Sequence, residues 1–486
     1  MLNIDDIENI HLYIVKFIKN IPSHLNIKEA FIINLPCILL DLIDLCNFSE
    51  NEWEEKIWII DRVVNGCQRN FYKENTKILL KKFFNYKNKK KIYIPIFERQ
   101  RKRIDKLVFD IPNFLNYQSL HSKKFEEYYV TSINSIFFGK YYKKEVNQEL
   151  ITIINDFIIA LSSLDFINKV FTSNKSRLIK FKSKLILSTK AAEFRLNQCK
   201  KFLPTNATEL YLPTLCSPFN RIIALAGIDY GSKIISFDHG TGIAFPSSKI
   251  TINLELDLPC EYITFSDLFK EIISNNICEE LRFTNKKVPL VISPTINSKS
   301  KIKDKNIKKI NFTDFKNILY LPSVISNKSH IHPLLNSSAY LQLQLNIIRN
   351  LKLVGNYSLF LREHPETEVN IPKVLLNELE INVVEGRIEK LNKEFIFLID
   401  YLQTTCLRFA ISNNIPVIAI VVNKNLINKQ IFSELSLLPN FEYLIPKMHS
   451  GDYIIENHQV LSLIKNLENN YSPNHENCIF GNYLKI

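Results

Sequence analysis

Three consecutive stretches decide the fold: NILYLPS at residues 317–323, NSSAYLQLQLNIIRNLKLVG at 336–355 and YSLFLREHP at 357–365. The first and third are apolar runs of strand length. The middle one repeats its apolar residues at helical spacing, with Leu341, Leu345, Ile348 and Leu351 on one stripe and Gly355 as a terminator. Strand, helix, strand in that order is a βαβ unit, whose two strands lie parallel in one sheet. The alternation continues through EINVVEG (380–386), EFIFLIDY (394–401), a helix over TTCLRFAISNN and the strand PVIAIVV (416–422). The same rhythm runs upstream. TELYLP (208–213) precedes a helix over SPFNRIIALAGIDYG, with Ser217 or Pro218 near its start and Gly231 beyond its end, and KIISF (233–237), EYITFSD (261–267) and VPLVISPT (288–295) follow. This pattern predicts an α/β protein with two doubly wound, Rossmann-like domains.

The Ser/Lys/Asn stretch at 297–311 is nearly free of apolar residues and reads as a basic linker between the two series. The expected organisation is a mostly helical N-terminal region over 1–175, a first Rossmann-like domain over 176–296, the linker, and a second Rossmann-like domain over 312–486 that ends in a helical tail. Within 1–175, NIDDIENIHLYIVKFIKNI and the stretch holding Trp53 and Trp58 have helical spacing, and KIYIPIFE (91–98) reads as a strand.

A chain of 486 residues with 46% hydrophobic and 23% charged residues has the composition of a globular protein and excludes a disordered one. The start, MLNIDDIENI, is acidic and does not read as a signal peptide. The apolar windows AFIINLPCILLDLIDLC and ELITIINDFIIALSSL are broken by Pro or Asp short of a bilayer's width, so a cytoplasmic protein is expected. Nine cysteines without a C-x-x-C pair read as reduced thiols. The net charge of +13, with clusters KNKKK (87–91), RQRKR (99–103) and SKIKDKNIKK (300–309), fits anionic partners. No recognisable nucleic-acid-binding pattern accompanies it, and nucleic acid is not the expected partner.

Open parallel sheets bind ligands at the carboxyl ends of their strands. Three strand exits carry polar groups. In SFDHGTG, Asp238 and His239 close a strand, and Gly240 and Gly242 permit a tight turn beside a ligand. A His beside an Asp can act as an acid or base. In REHPE, Pro365 biases His364 towards an extended backbone, so that its ring can donate to a phosphate oxygen, with Arg362, Glu363 and Glu366 as neighbours. In DYLQTTCLRFA, Asp400 closes a strand and Thr404 and Thr405 start a helix, where hydroxyls and N–H groups suit a phosphate. Plain helix capping explains the threonines equally well at this stage.

Together these stretches resemble bacterial glycosyltransferases of the GT-B fold that build surface polysaccharides, the capsule and lipopolysaccharide type with an H-G turn in one domain and an H-P motif in the other. GSKIISFDHGTG is similar to G-x-K-V-I-x-x-Q-H-G, the βαβ ending in REHPE to one ending in K-x-H-P, and LIDYLQTTCLRFAISNNIPVIAI to D-x-x-S-T-x-x-E-A-L-x-x-x-x-P-V-I. The likeness covers residues 200 to 425. It implies two Rossmann-like domains facing a cleft and metal-independent transfer of a sugar from a nucleotide donor to a glycan or lipid-linked acceptor, without a cofactor. By that likeness the catalytic residues are Asp238, His239 and His364. The nucleotide sugar is held by Gly240, Arg362, His364, Pro365, Glu366, Asp400, Thr404 and Thr405. The chain departs from the pattern at Asp238, where Gln is common, and at Arg408, near the place of a Glu that grips a ribose.

The H-P motif also occurs in transferases of CMP-activated sugar acids, such as sialic acid or Kdo, and in CDP-polyol phosphotransferases. A CMP donor leaves with one phosphate, for which one His and one helix start suffice, and this tips the expectation towards a CMP-activated sugar acid. An enzyme of this kind works at the inner face of the cell membrane, in peripheral contact with anionic lipid. The alternatives are the CDP-polyol phosphotransferase and a non-catalytic scaffold or nucleic-acid-binding protein.

Overall fold

The computed structural model describes residues 4–22, 26–47, 59–65, 91–93, 106–109, 128–131, 141, 148–203, 205, 207–238, 242–283, 288–293, 312–323, 337–352, 357–364, 371–386, 388, 391, 394–449 and 452–472. The expected linker at 297–311, the helix around Trp53 and Trp58, the clusters at 99–103 and 300–309, and His239, Gly240, Gly355, Pro365 and Glu366 lie outside the described residues. The chain forms two compact units. One comprises Met1–His239, Ser248–Thr264 and Ile272–Ser293; the other comprises Gly240–Ser247, Phe265–Glu271 and Pro294–Ile486.

The first unit holds a seven-stranded sheet in the order β1-β3-β2-β4-β5-β6-β7, with every neighbouring pair parallel. Its strands are β1 (Lys91–Tyr93), β2 (Lys106–Phe109), β3 (Tyr128–Thr131), β4 (Glu209–Leu212), β5 (Lys233–Phe237), β6 (Glu261–Ile263) and β7 (Leu290–Ile292). The boundary expected at residue 175 is therefore corrected. Three strands from the first 175 residues belong to this sheet, and β2 pairs directly with β4, Val108 opposite Tyr211. Strands of three or four residues are too short to show a period, and their partner lies far along the chain.

Around the sheet lie helices α1 (Ile4–Asn20), α2 (Asn26–Asn47), α3 (Asp61–Asn65), α4 (Gln148–Leu161), α5 (Asp165–Ser173), α6 (Lys175–Phe202), α7 (Pro218–Asp229), α8 (Lys249–Leu256) and α9 (Asp267–Asn275). The last of these crosses from the second unit into the first. Phe17, Phe31 and Phe157 knit α1, α2 and α4 together, with ring centroids 5.0 to 5.9 Å apart. The β4–α7–β5 unit follows its sequence closely. Ser217 is the N-cap of α7, Pro218 occupies its first turn, and Gly231 supplies the left-handed φ of +76° beyond its end. Gly227 lets α7 lie close on β4, since a Cβ there would sit 2.3 Å from Leu210 Cδ1. Among the described residues no single helix is long and apolar enough to cross a membrane; α4 and α5 reach that composition only jointly, and they bend 116° from one another.

The first unit also buries polar side chains. Arg221 is fully buried and donates to the carbonyls of Leu215 (2.7 Å), Ile32 (3.0 Å) and Leu254 (2.7 Å). His11, 0% exposed on α1, has no hydrogen-bond partner at either ring nitrogen. Burial, and then the Arg221 charge, push its pKa down to about 3. A histidine depressed in the folded state stabilises the fold above its ordinary value of 6.5, and that contribution is lost as pH falls from there towards 3. We expect His11→Leu to remove about 2 kcal/mol of the stability loss between pH 7.5 and pH 5, read from urea unfolding at both values. Equal pH slopes in the two proteins would contradict this.

The second unit holds a six-stranded parallel sheet in the order β10-β9-β8-β11-β12-β13. Its strands are β8 (Asn317–Leu321), β9 (Ser358–Leu361), β10 (Asn382–Val383), β11 (Phe395–Ile399), β12 (Val417–Ile420) and β13 (Phe441–Leu444). The chain starts in the middle at β8, winds outwards to β10, then returns to the other side of β8 at β11. This is the doubly wound 3-2-1-4-5-6 order, with its switch point between β8 and β11. Strands β11 and β12 are buried along their whole length, as parallel strands covered on both faces must be.

Helix α10 (Ser337–Lys352) buries Tyr340, Leu343, Gln344, Ile347, Ile348 and Leu351, while Leu341 and Leu345 flank that stripe half-buried. Helices α11 (Lys373–Glu378), α12 (Thr405–Ser412) and α13 (Lys429–Ser436) follow in the chain. The expected helical tail does not follow the last strand of the sheet directly. An antiparallel hairpin, β14 (Lys447–His449) with β15 (Asp452–Ile454), precedes helix α14 (Asn457–Asn470). Helix α14 returns Val460, Ile464 and Leu467 to the core formed with Ile318, Ile396, Leu398 and Ile418.

Candidate functional site

The parallel register aligns the strand exits of the second unit. Leu321 of β8 is opposite Ile399 of β11, Tyr320 is opposite Leu361 of β9, and Ile399 is opposite Ala419 of β12. His364, Asp400, Thr404 and Thr405 therefore leave from one edge of one sheet. Strands β9 and β11 are two steps apart, about 10 Å across the sheet.

At the β9 exit, Arg362 extends the ladder by donating its N–H to Tyr320 O at 3.0 Å. Its Nε donates to Gly386 O at 2.8 Å, which ties the turn after β10 to the end of β9. Glu363 accepts the Ile371 N–H at 3.0 Å and so joins the two ends of the connection across 365–370. Both side chains flanking His364 thus hold backbone in place. His364 itself is half-buried.

At the β11 exit, Asp400 is 0% exposed. One carboxylate oxygen accepts the Ser323 N–H at 2.6 Å and the other accepts the Tyr320 hydroxyl at 2.7 Å. Burial pushes its pKa up to about 6, against the pull of these hydrogen bonds. Thr404 is the N-cap of α12, its hydroxyl oxygen accepting the Cys406 N–H at 3.2 Å, and a hydroxyl in that role keeps its own proton for another acceptor. Thr405 follows it, exposed. Arg408 is buried one turn further on, its Cζ 4.2 Å from the centroid of the Phe265 ring, a cation–π contact within the second unit.

Between the exits of β11 and β12 lies a small, open cleft walled by Tyr401, Leu402, Gln403, Val422, Asn423 and Leu426. Asp400 also lines it, and among the described residues no lysine, arginine or histidine does. The Gln403 and Asn423 amides lie on its two walls, and Gln403 Oε1 accepts the Tyr401 hydroxyl at 2.7 Å. Its outer wall is braced by the segment that follows Gly242: Ser247 N–H donates to Leu426 O at 3.0 Å, and Asn428 N–H donates to Phe245 O at 2.9 Å. The 422–428 wall escaped the sequence reading because nothing in VNKNLIN distinguishes it from an ordinary connection.

In the first unit, Asp238 leaves β5 only 6% exposed. Its oxygens accept the Tyr262 hydroxyl at 3.0 Å and the Thr264 hydroxyl at 2.7 Å. The two aspartates singled out from sequence share one design: each closes a parallel strand and takes the hydroxyl of a tyrosine from the neighbouring strand. Each is an anchor between strand ends, buried from solvent. The signal that could have found this is a tyrosine inside an apolar strand (Tyr262 in EYI, Tyr320 in NILYL), because a buried hydroxyl requires a partner.

No family model and no curated protein matches the sequence. Among solved structures, the chain is similar to a protein assigned as a UDP-N-acetylglucosamine 2-epimerase from Listeria monocytogenes, with 10% identity, a TM-score of 0.40, and 78% of this chain and 94% of that one covered. It is also similar to the UDP-N-acetylglucosamine 2-epimerase of Rickettsia bellii (11% identity, TM-score 0.38, 79% and 92% covered). A third is MnaA of S. aureus in a structure with UDP (10% identity, TM-score 0.36, 78% and 92% covered). At these scores the likenesses carry no functional assignment.

Proposed function

We propose that the protein is a glycosyltransferase of the GT-B type that takes its sugar from a nucleotide donor held at the carboxyl edge of the second unit's sheet. The observation that carries this reading is the gathering of His364, Asp400, Thr404 and Thr405, residues of two motifs some forty positions apart, on one edge beside the switch point. In this reading His364 donates to the donor phosphate and offsets the charge that develops on the leaving nucleotide. The Thr404 and Thr405 hydroxyls at the start of α12 hold the same phosphate. The uncharged part of the donor lies over the small cleft between the β11 and β12 exits. Asp400 acts from beneath as an anchor, and Arg362 acts through the Gly386 turn.

The donor we favour is a CMP-activated sugar acid, since the edge offers one histidine and one helix start for one phosphate. The acceptor is a surface glycan or its lipid-linked precursor, met at the inner face of the membrane. Mass analysis of the products formed from CMP-, UDP- and GDP-sugars and CDP-glycerol with glycan acceptors tests the reading. A product heavier by one sugar residue is expected. A product that gains a polyol phosphate would replace this reading with the phosphotransferase one, and turnover of a UDP-sugar without any acceptor would replace it with epimerisation or hydrolysis.

A further inference from the structure

Ser323, at the exit of β8, is held from several sides. Its N–H donates to Asp400 at 2.6 Å, its carbonyl accepts from Gln344 Nε2 at 3.1 Å, and its hydroxyl lies 3.5 Å from the same amide. Gln344, on α10, is itself buried. Asp400 also holds Tyr320 on β8, so one buried carboxylate bolts the exit of β11 to the exit of β8 across the switch point. These are the two strand ends between which a doubly wound sheet presents its ligand site. We propose that Asp400 is a proton-sensitive positioning residue: its ionised carboxylate fixes the β8 exit in the geometry that binds the donor, and protonation releases it.

This inference rests on the proposed donor site, but its mechanism stands on geometry. An ionised carboxylate accepts at both oxygens through charge-assisted bonds; a protonated one keeps a neutral acceptor and must donate with its other oxygen. The Ser323 and Gln344 side chains also hydrogen-bond this carboxylate, and once it is protonated the Ser323 N–H bond loses its charge assistance. The titratable groups facing Asp400 are Tyr320 from β8 and Tyr340 from α10. Burial, and next the Asp400 charge, push both well above their ordinary values, so they stay neutral while the carboxyl titrates near 6. The hydrogen bonds to Asp400 favour its charged form and burial opposes it. Two readouts therefore move in opposite directions. As pH falls through 6, the whole fold gains stability from this group, because its folded pKa is raised, while the local bond to Ser323 weakens.

The test compares wild type with Asp400→Asn at pH 5 and pH 7.5, using nucleotide sugars as probes because their diester phosphates do not titrate in this window. Affinity of the wild type for the best-binding donor is expected to be about tenfold weaker at pH 5, with a flat profile in the variant. In the same samples, hydrogen exchange of the 317–323 segment, corrected for intrinsic rates, is expected to speed up at pH 5 in the wild type only. Exchange that is independent of pH, or pH-dependent exchange with pH-independent affinity, would overturn the proposal. If no nucleotide sugar binds at either pH while exchange follows Asp400, the glycosyltransferase reading fails and the proton-sensitive bolt remains.

Discussion

Replacing His364 by Ala is expected to lower turnover by 10²- to 10⁴-fold, the range by which a positioned proton donor commonly assists a leaving group. The melting temperature should hardly change. The residue sits at a strand exit, half-buried, and the flanking backbone is fixed by its neighbours: Arg362 on Gly386 and Glu363 on Ile371. The loss in stability should stay within about 1 kcal/mol. The measurement is donor consumption at saturating substrate beside thermal unfolding of both proteins. A drop in kcat together with weaker nucleotide binding would show that His364 holds the donor phosphate and offsets the charge that develops on it. Full activity with a lowered melting temperature would make His364 a packing residue.

The second effect is on stability. Glu255, on α8 and 0% exposed, accepts the N–H groups of Leu215 (2.5 Å) and Cys216 (3.1 Å) and the hydroxyl of Thr214. It thus gathers the turn between β4 and the start of α7, with Arg221 beside the same turn on Leu215 O. Removing the carboxylate takes the acceptor from the buried Leu215 N–H and the half-buried Thr214 hydroxyl, leaves the Cys216 N–H with only Thr214 Oγ1 at 3.2 Å, and leaves a buried guanidinium with one fewer compensating charge. Such a loss costs about 3 to 5 kcal/mol. Glu255→Ala is expected to lose that much in urea unfolding or to fail to fold. Glu255→Gln, which keeps one carbonyl acceptor in the same place, should lose roughly half. A Gln variant as stable as wild type would show that the charge contributes nothing, and an Ala variant within 1 kcal/mol would show the same for the hydrogen bonds.

What could be read from the sequence, and what could not, follows from the range over which each feature is encoded. The β8–α10–β9 unit was legible because its signals are local: an apolar run, a helical stripe and a second apolar run. The β4–α7–β5 unit was legible for the same reason, down to Ser217, Pro218 and Gly231. Strand β1 falls within the expected strand KIYIPIFE, but β2 and β3 were not read and none of the three was assigned to this sheet, because so short a strand has no period and its partner is chosen by a sheet assembled from distant parts of the chain. The hairpin before α14 was lost inside a stretch dominated by the helix after it.

At the site, the motifs identified the edge but not the duties of its residues. Asp238 and Asp400 read as ligand-side acids because nothing local reveals that Tyr262 and Tyr320 reach across to them. Arg408 read as a substituted ribose contact, yet its guanidinium lies against Phe265, more than a hundred residues away. The cleft wall at Leu426 depends on Ser247, which no spacing rule connects to it.

The most direct measurement is the change in melting temperature of the wild type and of His364→Ala with CMP, CDP, UDP, GDP, ATP and short oligonucleotides. The proposed function predicts a rise with one pyrimidine or guanine nucleotide, CMP foremost, that is lost in His364→Ala. A rise confined to oligonucleotides, or one that survives unchanged in the variant, would contradict a nucleotide donor held at this edge by His364.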